Sequence, residues 1–374
     1  MKQKQIVRML AFVAITLLFM PMRSMAVKIP VAILRTNADG KTKTLTFTYA
    51  ERPKVFARRG QNGIHRIQNV YKGRDYENYE LNAEPTWIGF HNTIWARDQL
   101  YERGISYYPD KTITTVVFDK SFAQARPVST SYWFCNLSKL KAIKGIENLN
   151  TSNVKGMTFM FYGCDNLDSI DVRGFNTANV ENMACMFAGC YKLTNIDVSG
   201  FNTANVVDMD CMFQGCDKLT NIDVSGFNTV NVITAGMYGM FGQCTSLNSI
   251  DISGFNTTNV EDMSFMFSDC SSLTDIKMPN FISSNVTKME GIFEKCTKLA
   301  HIYIGNNDFS GVSSSSLGDI FKGIGTIDKP CELTVGPLFD KSVLGNRHTN
   351  NGQDFYRWLG GYFTLDNSTA DARP

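Results

Sequence analysis

The feature that most constrains this chain is self-similarity. Phenylalanine recurs at Phe134, Phe161, Phe187, Phe213, Phe241, Phe267, Phe293 and Phe321, in steps of 27, 26, 26, 28, 26, 26 and 28 residues. Around it a whole unit repeats: residues 186–206 and 212–232 share one pattern, and a third copy begins at Met266 with more drift. A fixed period of this size marks an array of stacked supersecondary units. One unit cannot bury its apolar stripe alone, so its neighbours supply the cover.

The columns of the unit describe its path. One holds Leu167, Leu193, Leu219, Leu247, Leu273 and Leu299. Three residues on come Ile170, Ile196, Ile222, Ile250, Ile276 and Ile302, and two further come Val172, Val198, Val224, Ile252, Met278 and Ile304. Leu-x-x-Ile-x-Val matches the strand segment of leucine-rich repeats, and its period-two step marks a short strand. Phe175, Phe201, Phe227, Phe255 and Phe281 follow, the first four within Gly-Phe-Asn-Thr segments whose residues suit a turn. In the return segment Val180, Met183, Met186, Cys190, Leu193 and Ile196 are spaced mostly by three, which fits tight turns or 3-10 pieces rather than the mixed three-and-four rhythm of an α-helix. The expected fold is a leucine-rich-repeat-like solenoid with one short parallel strand per repeat of ~26 residues and little long helix. A β-rich N-terminal cap and a short C-terminal cap close its ends, since an open end exposes core and strand edges.

Four regions follow: a leader over residues 1–26, a β-rich cap over 27–130, eight repeats over 131–327, and a C-terminal cap and tail over 328–374. The leader has Lys2, Lys4 and Arg8, an apolar run from Met9 to Met20, and the small residues Ser24 and Ala26, the pattern of a secretory signal cleaved near Ala26. That run is too short to cross a ~30 Å hydrocarbon layer, and Val27 gives no site for lipid attachment. The chain is therefore expected to be exported, extracellular or at the cell surface, with no transmembrane segment once mature. In the first cap, residues 32–49 read as two strands around Asp39-Gly40. Residues 112–118 read as another strand, and Trp87, Trp95, Tyr107 and Tyr108 add bulk. Residues 332–335 suggest a last strand, with 355–365 folding back as a cover and 367–374 loose.

The repeated Gly-Phe-Asn-Thr-x-Asn-Val, the x-Met-x-x-Met-Phe and the following Gly-Cys-x-x-Leu resemble the BspA-like leucine-rich-repeat surface proteins, a domain of unknown function shared by Bacteroidetes and mycoplasmas. The segments leading in (residues 117–127) and out (339–345 and 358–363) are similar to the same family. The resemblance is close over roughly residues 110–363 and looser before. It implies a surface or secreted protein of adhesion and interaction.

Ten cysteines in an exported chain invite a disulfide reading. Six of them, Cys164, Cys190, Cys216, Cys244, Cys270 and Cys296, share one column, and Leu137 and Ile324 take that place in the first and last copies. A position that accepts Leu or Ile is apolar, so the expectation is a buried ladder of thiols acting as small hydrophobes. Zinc fits poorly, because a one-dimensional ladder gives each thiol only two near neighbours. Cys185 and Cys211 stand outside that column, 26 residues apart on neighbouring repeats, where stacked Cα atoms ~5 Å apart have the separation of a disulfide. The methionine columns, which include Met183, Met209, Met186 and Met212, are read as core rather than as thioether ligands for copper. No cofactor and no metal are expected.

Residues between the inward Ile and Val point outward. These are Asp171, Asp197, Asp223, Asp251 and Lys277. Stacked carboxylates concentrate negative potential, which suits either a solvated face whose carboxylates bond nearby turn amides, or a stripe that binds a cation or a basic partner. The asparagine column at Asn179, Asn205, Asn231, Asn259 and Asn285 is read as structural. The inserted residues 234–236 are a weaker contact candidate. The chain has 37 basic and 35 acidic residues, a balance that argues against nucleic acid as the main partner. His65, His91, His301 and His348 are scattered, no Gly-x-Ser-x-Gly turn occurs, and Gly40-Lys41-Thr42 lacks the rest of a phosphate loop because Arg35 stands where its first glycine belongs. The reading is a monomeric, non-catalytic protein that binds an extracellular protein or glycan through its repeat face. A structural spacer in a surface assembly, and a hydrolase with its site in the N-terminal region, remain as alternatives.

Overall fold

The computed structural model describes residues 28–51, 63–66, 70–71, 111–233, 235–278, 285–305, 312, 320–326, 328–335, 347–350, 353–358 and 361–365. The leader, the aromatics from Trp87 to Tyr108, Phe281, Thr234 and residues 339–345 fall outside them.

The first cap is a sheet in the order β3-β1-β2-β5-β7. β1 (Lys28–Thr36) and β2 (Lys43–Glu51) pair antiparallel. In the turn between them Asp39 accepts the amides of Lys41 and Thr42, and Gly40 adopts a φ of 66°. β3 (Gly63–Arg66) lies on the far side of β1. β4 (Val70–Tyr71) and β6 (Arg126–Pro127) form a separate two-stranded pair. β5 (Ile113–Phe118) runs parallel to β2, and β7 (Ala142–Lys144) parallel to β5. The sheet thus hands directly from cap to array, because β7 is the strand segment of the first repeat. Phe47 stacks on Phe118 (4.7 Å between centroids) and Trp133 (5.2 Å), and meets the first column phenylalanine, Phe134, edge-on at 5.9 Å.

From there one aromatic ladder runs the length of the array. Successive rings from Phe161 to Phe321 lie 5.4–5.8 Å apart and within 8° of parallel. The Leu, Met, Val and inner Cys columns are buried beside it in one continuous cluster. The repeats therefore stack as the period requires, each apolar column becoming a line through a shared interior. At the far end Phe363 caps the ladder edge-on to Phe321 at 5.1 Å.

The strand segment behaves differently from copy to copy. Regular strands form at β7, β8 (Asp275–Lys277) and β9 (His301–Gly305), where the outward residue is Lys144, Lys277 or Tyr303. In the four copies with Asp171, Asp197, Asp223 or Asp251 the segment is not a regular strand. There each carboxylate accepts the amide two residues on. An aspartate that bonds its own backbone offers the chain an alternative to the ladder, and that amide is turned back instead of pairing across.

Most inter-repeat backbone bonding runs instead along the return segment. Alternate residues donate to the next copy: Met183 to Asp208, Cys185 to Asp210, Phe187 to Met212 and Gly189 to Gln214, at 2.7–2.9 Å. Tight turns link the same residues internally, as from Met186 to Met183 and from Cys190 to Phe187, in keeping with the spacing by three. No α-helix occurs among the described residues; the helical elements are 3-10 turns at Lys120–Gln124 and Ile146–Asn148. The C-terminal cap is a sheet in the order β11-β12-β13-β10-β9-β8. β10 (Cys331–Val335) pairs parallel with both β9 and β13 (Gly361–Leu365), while β11 (Arg347–Asn350) and β12 (Gln353–Trp358) continue antiparallel.

Candidate functional site

The outward stripe is built from the turns just described. Asp197 and Asp223 each accept an amide at 3.0–3.1 Å and a serine hydroxyl at 2.6 Å, from Ser199 and Ser225. Asp251 takes the Ser253 amide at 2.9 Å. Asp171 is gripped by the Arg173 guanidinium at 2.9 and 2.8 Å. These bonds favour the ionised form, so all four carboxyls sit below the usual carboxylate range, and the Arg173 side chain takes Asp171 down to about 2. The stripe is not purely acidic. Arg173 opens it and also acts on Asp197, while Lys277, exposed on β8, closes it and acts on Asp251. Beyond it His301 Nδ1 meets Asp275 at 2.6 Å.

A second surface feature adjoins the insertion. Val207, Val230 and Ile233 are exposed large apolar residues, and the Ile233 amide donates to the Val207 carbonyl at 3.2 Å. This places Ile233 and Val207 side by side on adjacent copies, immediately before residues 234–236.

The six column cysteines are buried, and each thiol donates to the carbonyl of the column phenylalanine one copy earlier, from Cys164 to Phe134 through Cys296 to Phe267, at 3.0–3.4 Å. Burial pushes Cys190, Cys244 and Cys296 up to about 12. They are neutral at ordinary pH and poor nucleophiles. The asparagine column joins copies in the same way, with Asn179, Asn205 and Asn231 donating to the carbonyls of Ser152, Ala178 and Ala204.

Cys185 and Cys211 lie outside the main core, in a small cluster with Ala188 that Phe159, Tyr162 and Tyr238 cover. Both carry free thiols, and their sulfurs lie within 4.8 Å of each other. Asp210, half-buried, completes a group whose sulfur and carboxylate oxygen atoms all lie within 4.8 Å of one another. The Cys211 side chain and burial, with the charges of Asp210 and Asp208, push the Cys185 thiol far up. Burial, then Asp208, takes Asp210 up to about 7. Sequence reasoning found the two cysteines and missed the carboxylate. The signal that finds it is the pairing of each Phe−2 residue with the Phe−3 residue of the next copy, which sets Asp210 against Cys185.

The chain matches the model of a family described as "Mycoplasma protein of unknown function, DUF285" over residues 128–236 and 194–307. Among solved structures, a leucine-rich repeat protein from Bacteroides ovatus is similar at 16% identity, covering 82% of this chain and 70% of that chain, with a TM-score of 0.29. No curated protein matches. No helix among the described residues is long and apolar enough to cross a membrane. Residues 128–307, which carry the stacked columns, the asparagine ladder and the outward stripe, are the part of the chain that matches the DUF285 family model, and their structure is a repeat solenoid with one shared interior.

Proposed function

We propose that this chain is an exported, non-catalytic interaction protein that binds an extracellular protein or glycan through its repeat face. The observation that carries the reading is the set of four matching outward turns at Asp171, Asp197, Asp223 and Asp251. They stand on consecutive copies of an array whose backbone is bonded from copy to copy. A rigid lattice of like groups meets a repetitive or extended partner without first ordering itself, so little of the binding energy is lost to immobilising the surface. Ionised carboxylates flanked by Arg173 and Lys277 suit a partner with basic groups, or one that binds through a cation. The exposed apolar residues Val207, Val230 and Ile233 support a second contact.

The test is unbiased capture from extracellular matrix proteins and glycan arrays, with the protein and with a variant in which all four aspartates are Asn. The reading expects capture by the parent and loss of it in the variant. Equal capture by both moves the contact off the stripe, and no capture by either favours a structural spacer.

A further inference from the structure

We propose that Cys185, Asp210 and Cys211 form a binding site for a thiophilic divalent cation, of the zinc type, spanning two neighbouring repeats.

The argument starts from the ladder. From the copy of Phe134 to that of Phe267, the residue two before the column phenylalanine donates its amide to the residue three before the phenylalanine of the next copy. This brings three residues together at each of these steps. They are Tyr132, Thr158 and Phe159 at one step, Phe159, Ala184 and Cys185 at the next, and Cys211, Tyr238 and Gly239 or Phe265, Glu290 and Gly291 further on. At one step all three are metal ligands: Cys185 donates to the Asp210 carbonyl at 2.8 Å, and Cys211 follows Asp210 in the chain. Among the described residues this is the one cluster of three or more His, Cys, Asp or Glu side chains whose donor atoms converge.

The donor set is chemically selective. Two thiolates and a carboxylate suit zinc and other borderline-soft ions, whereas magnesium and calcium prefer oxygen alone. A tetrahedral zinc with Zn–S bonds of about 2.3 Å holds its sulfurs roughly 3.8 Å apart, so donor atoms now within 4.8 Å need close by only about an ångström. Three protein ligands leave the fourth position of a tetrahedral ion to water.

The main chain that carries the carboxylate is held in place. Asp208 Oδ1 accepts the Asp210 backbone amide at 3.0 Å, and Asn182 Nδ2 donates to Asp208 Oδ2 at 3.0 Å. These bonds fix the backbone from which the Asp210 side chain projects. The side chains two before the column phenylalanine are also smaller here. The same column is aromatic at Tyr132, Phe159 and Phe265 and becomes Cys-Cys-Gly at Cys185, Cys211 and Gly239, where a β-carbon on Gly239 would lie 3.3 Å from the Cys211 sulfur. On binding, each thiol gives up its proton to solvent, the carboxylate binds ionised, and no electron moves.

The test uses reduced protein and Co²⁺ as a spectroscopic probe, with Zn²⁺ as competitor. One equivalent of cobalt is expected to give a thiolate-to-cobalt charge-transfer band that zinc abolishes. Cys185→Ser with Cys211→Ser, which keeps every column cysteine, is expected to lose the band. Asp210→Asn, nearly isosteric and outside the main core, is expected to melt like the parent without metal, to bind cobalt at least about tenfold more weakly and to show less stabilisation by zinc. Failure of the reduced, folded parent to take up cobalt overturns the proposal. So does equal uptake by the variants, which would assign the band to other thiols.

Discussion

Thr203 makes two hydrogen bonds with one residue of the next copy. Its hydroxyl donates to the Asn228 carbonyl at 2.9 Å and accepts the Asn228 amide at 2.7 Å. Thr151 and Thr177 make the same pair of bonds to Asn176 and Asn202, and Thr229 to Asn256. A hydroxyl carries one donor and two acceptor sites, so a buried threonine here substitutes for a missing rung of backbone ladder. Thr203→Val keeps the shape and leaves a buried amide and carbonyl short of a partner, which costs about 1–3 kcal/mol; denaturant unfolding measures it, and a cost near zero removes the clamp from the account. The outward aspartates make an acid prediction. Their carboxyls lie below the ordinary 3.8 in the folded protein, at about 2 for Asp171. A depressed folded value means stability that is present above the ordinary value and lost as pH falls through the folded one. The melting temperature is therefore expected to drop between about pH 4 and pH 2, and more shallowly when all four are Asn. Identical acid profiles would show that these turn bonds do not hold the carboxylates.

At the scale of the element, the joint between cap and array is the tightest point. Gly145 has a φ of 70°, and a β-carbon there would collide with the Phe118 carbonyl of β5. It occupies the place that Val172 and Val198 fill in later copies, because in the first copy the neighbour is the cap strand rather than another repeat. Gly145→Ala meets both the left-handed conformation and the collision, so a loss of about 1–3 kcal/mol is expected, read as a lowered unfolding midpoint. No change would place the joint elsewhere. The contrast with what the residues alone reveal is sharp at this scale. The Leu, Ile, Phe and Cys columns were legible because burial repeats with the period. The hairpin at Asp39-Gly40 was legible through its turn residues. The position of the main ladder was not, since the return segment holds left-handed residues two before and two after the column phenylalanines from Phe134 to Phe293, many of them non-glycine, such as Phe159, Cys185, Gln243 and Lys295. Side-chain type alone carries no mark of that conformation. Threonine in Gly-Phe-Asn-Thr reads as a turn residue, and its second role needs the neighbouring copy. Asp210 is the same case: its partnership with Cys185 and Cys211 exists only in the register of the stacked copies.

Across the whole molecule the stability of such an array is a sum of weak units and the interfaces between them. Here each of the first four interfaces carries the same parts: a stacked phenylalanine pair, a thiol-to-carbonyl bond, the threonine and asparagine clamps and the alternate amides of the return segment. Sheets at both ends close the open faces, joined to the ladder by Phe47 and Phe363. The functional reading depends on that continuity, because a partner surface spread over four repeats exists only if they hold one register. Residue-resolved amide hydrogen exchange tests this most directly. The amides of Phe161, Phe187, Phe213, Phe241 and Phe267, each donating to the following copy at 2.8–2.9 Å, are expected to be strongly protected and to open together with the array. Fast, independent exchange at these five positions, matching that of exposed turns, would contradict the stacked interior on which the account rests.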